Sequence, residues 1–297
     1  CLYFDRWNCI GRYFRSHFPA DRWIGDAGDR VLFTQQVNKG NICKMKAQDY
    51  LARIGFEGEL SLSVETLHAL QLAHMRTVPF ENLDISLGRK IQLDMESLWD
   101  KIIVRKRGGF CYELNGLFAW LLKEIGFEVT YLNARDYHEE DNTFGIDFDH
   151  LTLMIRAKND STRWLADVGW GDSFIHPLDI DNVNWQEQDL RAYRLEPFNN
   201  GYQLWQKNYS GKTDRQYYFD VAAHSFPFEY EAACIYHQTS PNSIFTKNRI
   251  ISRVTEDGRV SLDNDELIIT KHGQQTRSSI REDERADLLK EYFGVIL

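Results

Sequence analysis

The sequence predicts an α+β chain of several domains, with helices first, antiparallel strands next and a mixed segment last. Three observations carry that expectation. Apolar residues between Met45 and about Phe127 recur at helical spacing. From Val129 to Phe219 the period falls to two, between pieces rich in turn residues such as Asn159–Asp160–Ser161 and Asn199–Asn200–Gly201. The remainder alternates strand-like and helix-like runs, and 297 residues leave room for two or three domains.

Taken in order, Val64, Leu67, Leu70 and His74 mark a helix that stops before Val78–Pro79. Asp94 is an N-cap residue for a helix through Leu98 and Ile102, expected to end at Gly108–Gly109. Leu114, Leu117, Phe118, Leu121, Leu122 and Ile125 then form one continuous apolar stripe, closed by Gly126 as a C′ glycine. Strands are expected at Val129–Ala134, His150–Arg156, Arg163–Val168, Ala192–Leu195, Tyr202–Gln206 and Gln216–Phe219, a series that suits a barrel or a sandwich. Arg249–Val254 and Leu267–Thr270 read as further strands, and a last helix runs through Leu288, Leu289 and Tyr292. No internal repeat and no low-complexity tract interrupts this order.

Charge and composition narrow the function. Thirty-five Lys and Arg against 44 Asp and Glu give a formal net charge of −9, which argues against a general nucleic-acid binder. No apolar run approaches the ~20 residues of a membrane span. The expected class is therefore a cytoplasmic enzyme or binding protein with neither nucleic acid nor membrane as partner. Residues 1–44 stand apart. They hold three of the five cysteines and carry a net charge of +3, with no helical or alternating period and no h-region of a signal peptide. They are expected to be a non-native or disordered extension, with Met45 as the natural start.

The five cysteines contain no C-x-x-C and no zinc-ligand spacing, so no metal is expected, and an odd count speaks against a disulfide framework. Cys234 reads as a small buried hydrophobe. Cys111 has a different setting. In Arg107–Gly108–Gly109–Phe110–Cys111–Tyr112–Glu113–Leu114–Asn115 it follows a glycine pair and opens the strongest helix, where unpaired N–H groups and the helix dipole favour a thiolate, and Arg107 adds a cation nearby. On local context alone, a cysteine merely packed under a helix start explains it as well. A thiolate nucleophile needs a base, and the base an orienting carboxylate. His150 lies on a strand with Thr152 and Met154 on its face, opposite Leu151, Leu153 and Ile155. Asp167 ends an otherwise apolar strand, where an acid needs a partner. Cysteine at a helix start, then His and Asp on successive strands, is the pattern of a catalytic triad.

These residues, with Val78–Pro79–Phe80–Glu81–Asn82–Leu83–Asp84, Tyr236–His237–Gln238–Thr239–Ser240–Pro241–Asn242–Ser243–Ile244–Phe245 and Leu289–Lys290–Glu291–Tyr292–Phe293–Gly294–Val295, resemble the arylamine N-acetyltransferase family from about Met45 to Leu297. Residues 1–44 match nothing in that resemblance. It implies a helical domain over 45–127 carrying the nucleophile, a β-barrel domain over 128–222 carrying His and Asp, and an α/β lid over 223–297, around a papain-like Cys-His-Asp site. It further implies acetyl transfer from acetyl-CoA to arylamines, arylhydrazines or N-hydroxyarylamines. Cys111 then falls on the nucleophile, His150 on the base and Asp167 on the orienting acid.

The expected mechanism is ping-pong through an acetyl-Cys111 intermediate, with the Tyr112 backbone N–H as oxyanion donor. Arg107 and Glu81 are expected to form a structural ion pair. Phe80, Trp170 and Phe219 are candidates for lining the acceptor pocket, and Lys247 or Arg249 for meeting the coenzyme A phosphates. The family has Phe or a smaller residue where Trp170 stands, so a narrower acceptor slot is expected. Readings from other classes stay open at this level: an amide synthase or a Cys-His-Asp hydrolase using the same triad, or a catalytically silent binding relative.

Overall fold

The computed structural model describes residues 45–297 apart from Asn159 and Leu190, so the expectation for residues 1–44 lies outside the described residues. Apolar spacing turns into burial first in the helical segment. Helices α1 (Ala47–Ile54), α2 (Val64–Thr77), α3 (Leu83–Ser86), α4 (Met95–Trp99) and α5 (Cys111–Ile125) follow in order, with strand β1 (Phe80–Glu81) between α2 and α3. Asp94 caps α4 by accepting the Ser97 N–H at 2.9 Å. The helix expected to run on to the glycine pair gives way at Asp100 to a π turn, Asp100–Val104. That wider turn carries Lys101 into a buried group of acids. The α5 stripe behaves as its spacing implies: Leu114, Leu117, Phe118, Leu121 and Leu122 are fully buried.

The second segment is an antiparallel sheet of β2 (Glu128–His138), β3 (Thr143–Phe144), β4 (His150–Arg156), β5 (Trp164–Ala166), β6 (Leu178–Asp179), β7 (Gln186–Gln188), β8 (Arg191–Phe198), β9 (Gly201–Lys207) and β10 (Thr213–Asp220). The strand order is β6-β5-β4-β2-β10-β9-β8-β7, with β3 beside β2. Side-chain amides join the two edges where a backbone ladder is missing. Gln186 accepts the Asp179 N–H and donates to its carbonyl, while Gln188 accepts from Ile175 and His176. The sheet is therefore a nearly closed barrel, which decides between the two arrangements the strand series allowed. Alternation on β4 puts Leu151, Leu153 and Ile155 in one core with α5. Met154 joins Leu132, Leu165, Tyr217 and Phe219 in the barrel interior.

The third segment comprises α6 (Glu231–Thr239), α7 (Ile244–Lys247), β11 (Ile250–Val254), β12 (Gly258–Asp263), β13 (Glu266–Lys271), β14 (Gln274–Ser279) and α8 (Arg285–Phe293). Its sheet runs β1-β11-β12-β13-β14, so its first strand comes from the helical segment, with Phe80 opposite Ser252 and Glu81 opposite Ile251. Ile251, Val260, Leu262, Leu267, Leu289 and Phe293 close a separate small core. Strand β1 thus interlocks the helical segment with the C-terminal one, and the described residues form one compact unit. Strand β14 escapes the sequence pattern because all six of its residues are exposed, and its pairing with β13 alone holds it.

Five charged side chains lie buried where β1, the π turn and α5 meet. Arg107 binds Glu81 at 2.7 Å and Asp84 at 3.1 Å, and Lys101 binds Asp84 and Glu113 at 2.9 Å each. Burial pushes the Glu113 carboxyl up to about 7, with Lys101 opposing the rise. Burial acts against the Lys101 ammonium, but Glu113, Glu81 and Asp84 outweigh it and hold its pKa above the ordinary value. Removing one member of such a group strands the others without compensation. Arg107→Met is expected to cost about 3–5 kcal/mol of stability, read from urea denaturation. A shift below about 1 kcal/mol would mean that water replaces the guanidinium.

Candidate active site

The start of α5 is set by a close backbone crossing. A Cβ on Gly108 would lie 1.9 Å from the Pro79 carbonyl oxygen, and Glu81 donates its N–H to the Gly109 carbonyl at 2.8 Å. Neither glycine has left-handed backbone, so the pair serves this approach rather than the sharp turn the sequence reading assigned to it. Glu113 folds back to accept the Phe110 N–H at 3.1 Å, half of a capping box. Cys111 is the first residue of the helix and Tyr112 the second, positions whose N–H groups have no partner within a helix.

Cys111 is 3% exposed. Burial pushes its thiol well above the ordinary value, and a hydrogen bond from the Leu151 backbone works in the opposite direction. Arg107, expected to supply a cation beside the sulfur, is instead taken up by Glu81 and Asp84. The pairing of Arg107 with Glu81 thus braces the two segments that precede the site, while the charge it carries is already neutralised.

His150 opens β4, and its Nε2 lies 2.6 Å from Asp167 Oδ2. Asp167 directly follows β5 and is wholly buried. Its Oδ2 also accepts the Tyr217 hydroxyl at 3.0 Å, while Oδ1 accepts Asn115 Nδ2 and the Gly169 N–H at 2.9 Å each. Burial by itself raises the Asp167 carboxyl, but the charge on His150 and the hydrogen bonds from His150, Asn115 and Gly169 outweigh it and hold it below the usual range. With Nε2 engaged by the carboxylate, Nδ1 is the ring nitrogen left for a reacting group. Gly169 is required as well: a Cβ there would sit 2.7 Å from Cys111 Cα and 2.8 Å from Asn115 Nδ2.

Cys111 and His150 line one cavity of about 440 Å³, together with Phe80, Trp170, His237 and Phe245. The Trp170 ring meets His150 edge-on at 4.8 Å, and its indole N–H donates to Gln216 at 3.1 Å. Phe219 does not line this cavity, contrary to expectation. It is wholly buried in the barrel interior, stacked on Tyr202 with ring centroids 5.7 Å apart. The ring that reaches His150 from β10 is Tyr217, two residues earlier on the same face, at 5.2 Å. Arg249, a candidate for coenzyme A phosphates, is engaged by Glu282 at 3.0 Å and Asp265 at 3.2 Å. A second recess of about 290 Å³, lined by Asp172, Arg191 and Arg259 among others, holds none of Cys111, His150 or Asp167. Among the described residues no group of three or more His, Cys, Asp or Glu is placed to hold a metal ion. Nor is any helix among them long and apolar enough to cross a membrane.

Three residues around this cluster escaped the sequence reading: Asn115, Tyr217 and Gln71, whose Oε1 accepts the Asp167 N–H at 3.2 Å. Asn115 left a signal. It stands four residues after Cys111, on the same helix face, a polar side chain inside an apolar stripe.

Comparison with known proteins agrees with the geometry. The family model described as N-acetyltransferase matches residues 63–297. The pineal gland arylamine N-acetyltransferase isozyme NAT-10 of Gallus gallus is 30% identical over 281 residues, covering 85% of this chain and 95% of that protein. The arylamine N-acetyltransferase of Mycolicibacterium smegmatis is 32% identical over 250 residues, covering 81% and 87%. The Mycobacterium marinum arylamine N-acetyltransferase, solved in complex with CoA, superposes with a TM-score of 0.79 at 27% identity, covering 84% of this chain and 93% of that one. Fold and sequence together define an acyltransferase. The chain belongs to the arylamine N-acetyltransferase family.

Asn115 also donates to the Leu151 carbonyl at 2.6 Å and accepts the Val168 N–H at 3.0 Å, so it ties α5 to β4 and to the loop after β5 that holds Asp167. Asn115→Ala leaves these buried groups unpaired and is expected to cost about 2–4 kcal/mol. An unchanged urea midpoint would show that the three contacts contribute nothing.

Proposed function

We propose that this chain transfers the acetyl group of acetyl-CoA to the nitrogen of an arylamine, arylhydrazine or N-hydroxyarylamine, with Cys111 as nucleophile, His150 as base and Asp167 as orienting acid. The observation that carries the reading is the 2.6 Å His150–Asp167 hydrogen bond beside a cavity that Cys111 and His150 both line. Named relatives in the same family and a neighbour solved with CoA support the choice of donor.

The chemistry follows from burial. A lone thiolate is disfavoured at a site this dry, so the negative sulfur forms as half of a pair with the His150 imidazolium, whose charge Asp167 stabilises. The sulfur attacks the thioester carbonyl, and the Tyr112 N–H at the helix start donates to the oxyanion. Coenzyme A leaves with the proton from His150, and acetyl-Cys111 remains. The acceptor nitrogen, unprotonated near pH 7, then attacks that thioester while His150 takes its proton. Phe80 and Trp170 line the acceptor slot, and Arg107 with Glu81 braces the helix start from behind. The two cysteines among the described residues, Cys111 and Cys234, are both free, which suits a reducing compartment such as the cytoplasm.

Intact-mass spectrometry after mixing with acetyl-CoA alone tests the covalent step. One added acetyl group is expected, located on Cys111 and absent from Cys111→Ala. A full burst of free coenzyme A from Cys111→Ala would sink the assignment. Trp170→Phe is expected to relieve the narrowed slot, lowering KM for bulky bicyclic arylamines by about 3–10-fold while changing single-ring acceptors little. Equal effects on both acceptors would take Trp170 out of the slot.

A further inference from the structure

The cavity that holds Cys111 contains a second hydrogen-bonded chain that the acetyl transfer does not use. His237, on α6, is 5% exposed and places Nε2 3.0 Å from Asp149 Oδ1 and 3.2 Å from the Asp149 carbonyl oxygen. Its Nδ1 lies 3.1 Å from the Ser243 hydroxyl oxygen, and Ser243 is itself 3% exposed. The other Asp149 oxygen accepts the Asp136 N–H at 3.3 Å, so the carboxylate is fixed from two sides. Asp149, His237 and Ser243 all line the same cavity as Cys111 and His150.

The directions of these bonds settle the protons. Nε2 faces two acceptors and no donor, so it carries hydrogen. The neutral ring then has Nδ1 as its acceptor, and the Ser243 hydroxyl donates to it. Phe245 N–H donates to the Ser243 oxygen at 3.2 Å and orients the remaining lone pairs. A hydroxyl within reach of a base whose tautomer the Asp149 carbonyl fixes, with the Asp149 carboxylate 3.0 Å from the same nitrogen, is the arrangement of an activated nucleophile. Contacts of 3.0 to 3.1 Å without substrate are within the range such sites show before they tighten.

We propose that Ser243, His237 and Asp149 form a second acyl-accepting site, which takes small activated aryl esters independently of Cys111. Ser243 Oγ attacks the ester carbonyl and its proton passes to His237 Nδ1, leaving an imidazolium paired with Asp149. The carbon–oxygen bond to the phenol breaks, and the proton on Nδ1 passes to the departing phenolate or, where the phenol is acidic, to solvent, so that the imidazole is neutral again. Water then attacks the acyl-serine ester as His237 takes a proton from it, the carboxylic acid departs, and the hydroxyl is restored. Ester and water are consumed and acid and phenol produced, with no other reactant.

The test uses the Cys111→Ala chain with p-nitrophenyl acetate, after circular dichroism shows it folded. Release of p-nitrophenolate is expected, with one acetyl group on the peptide that contains Ser243. Adding His237→Gln is expected to slow that acetylation by about 10²-fold. An unmodified Ser243, or a rate indifferent to His237→Gln, would overturn the proposal and leave the chain as a latch between α6 and β4. The unsubstituted protein gives an independent reading: a small alkyl fluorophosphonate is expected to label Ser243, and a Ser243 left unlabelled counts equally against it. Because acetylation of Cys111 by acetyl-CoA is read on a different peptide, failure of either site is distinguishable from failure of the other.

Discussion

The buried carboxylate of Asp167 is the constraint on which the rest of the site depends. An ionised carboxylate without exposure to water is costly unless each oxygen is met by donors. Here His150 and Tyr217 meet one oxygen, while Asn115 and the Gly169 N–H meet the other. Those donors come from β4, β10, α5 and the loop after β5, so satisfying one charge fixes four pieces of chain against one another. The same bonds hold the imidazole of His150 with Nε2 inward. The arrangement proposed for catalysis and the packing of helix against barrel are thus one set of contacts.

The helix that carries Cys111 is positioned by a second constraint behind it. Gly108 leaves room for the Pro79 carbonyl, Glu81 bonds the Gly109 carbonyl and pairs with Arg107, and Glu113 accepts the Phe110 N–H while pairing with Lys101. Through β1 the same short segment adds the first strand of the C-terminal sheet. Charge near Cys111 is therefore taken up by structure. In the proposed mechanism the sulfur depends on the helix start and on His150 for its ionisation, because Arg107 is already paired with Glu81 and Asp84.

Much of the fold was legible because burial follows period. The stripe on α5, the alternation on β4, the Asp94 cap and the order of helical, β and mixed segments each depend on residues close in sequence. The candidate triad was legible too, since a cysteine at a glycine-preceded helix start and polar residues on apolar strands are local anomalies. What escaped depended on partners far apart in the chain. Phe219 and Tyr217 share a face of β10, and nothing in their spacing tells which one reaches His150. Arg107 beside Cys111 in sequence reads as an activating cation until Asp84 and Glu81 are seen to claim it. The π turn at Asp100–Val104 answers the need of Lys101 for three acids, a need invisible in a helical window.

By itself the sequence determined the family, the class of fold and the three residues proposed for acetyl transfer, because motif and period are carried by neighbours along the chain. Only the tertiary structure decided that the strands close into a barrel through Gln186 and Gln188, and that Asn115 and Tyr217 hold Asp167. It also decided that His237 joins Asp149 to Ser243 in the cavity of Cys111. Each of these is a hydrogen bond between residues brought together from distant elements. Such bonds form where burial leaves a polar group in need of a partner, and which partner arrives is a property of the packed chain.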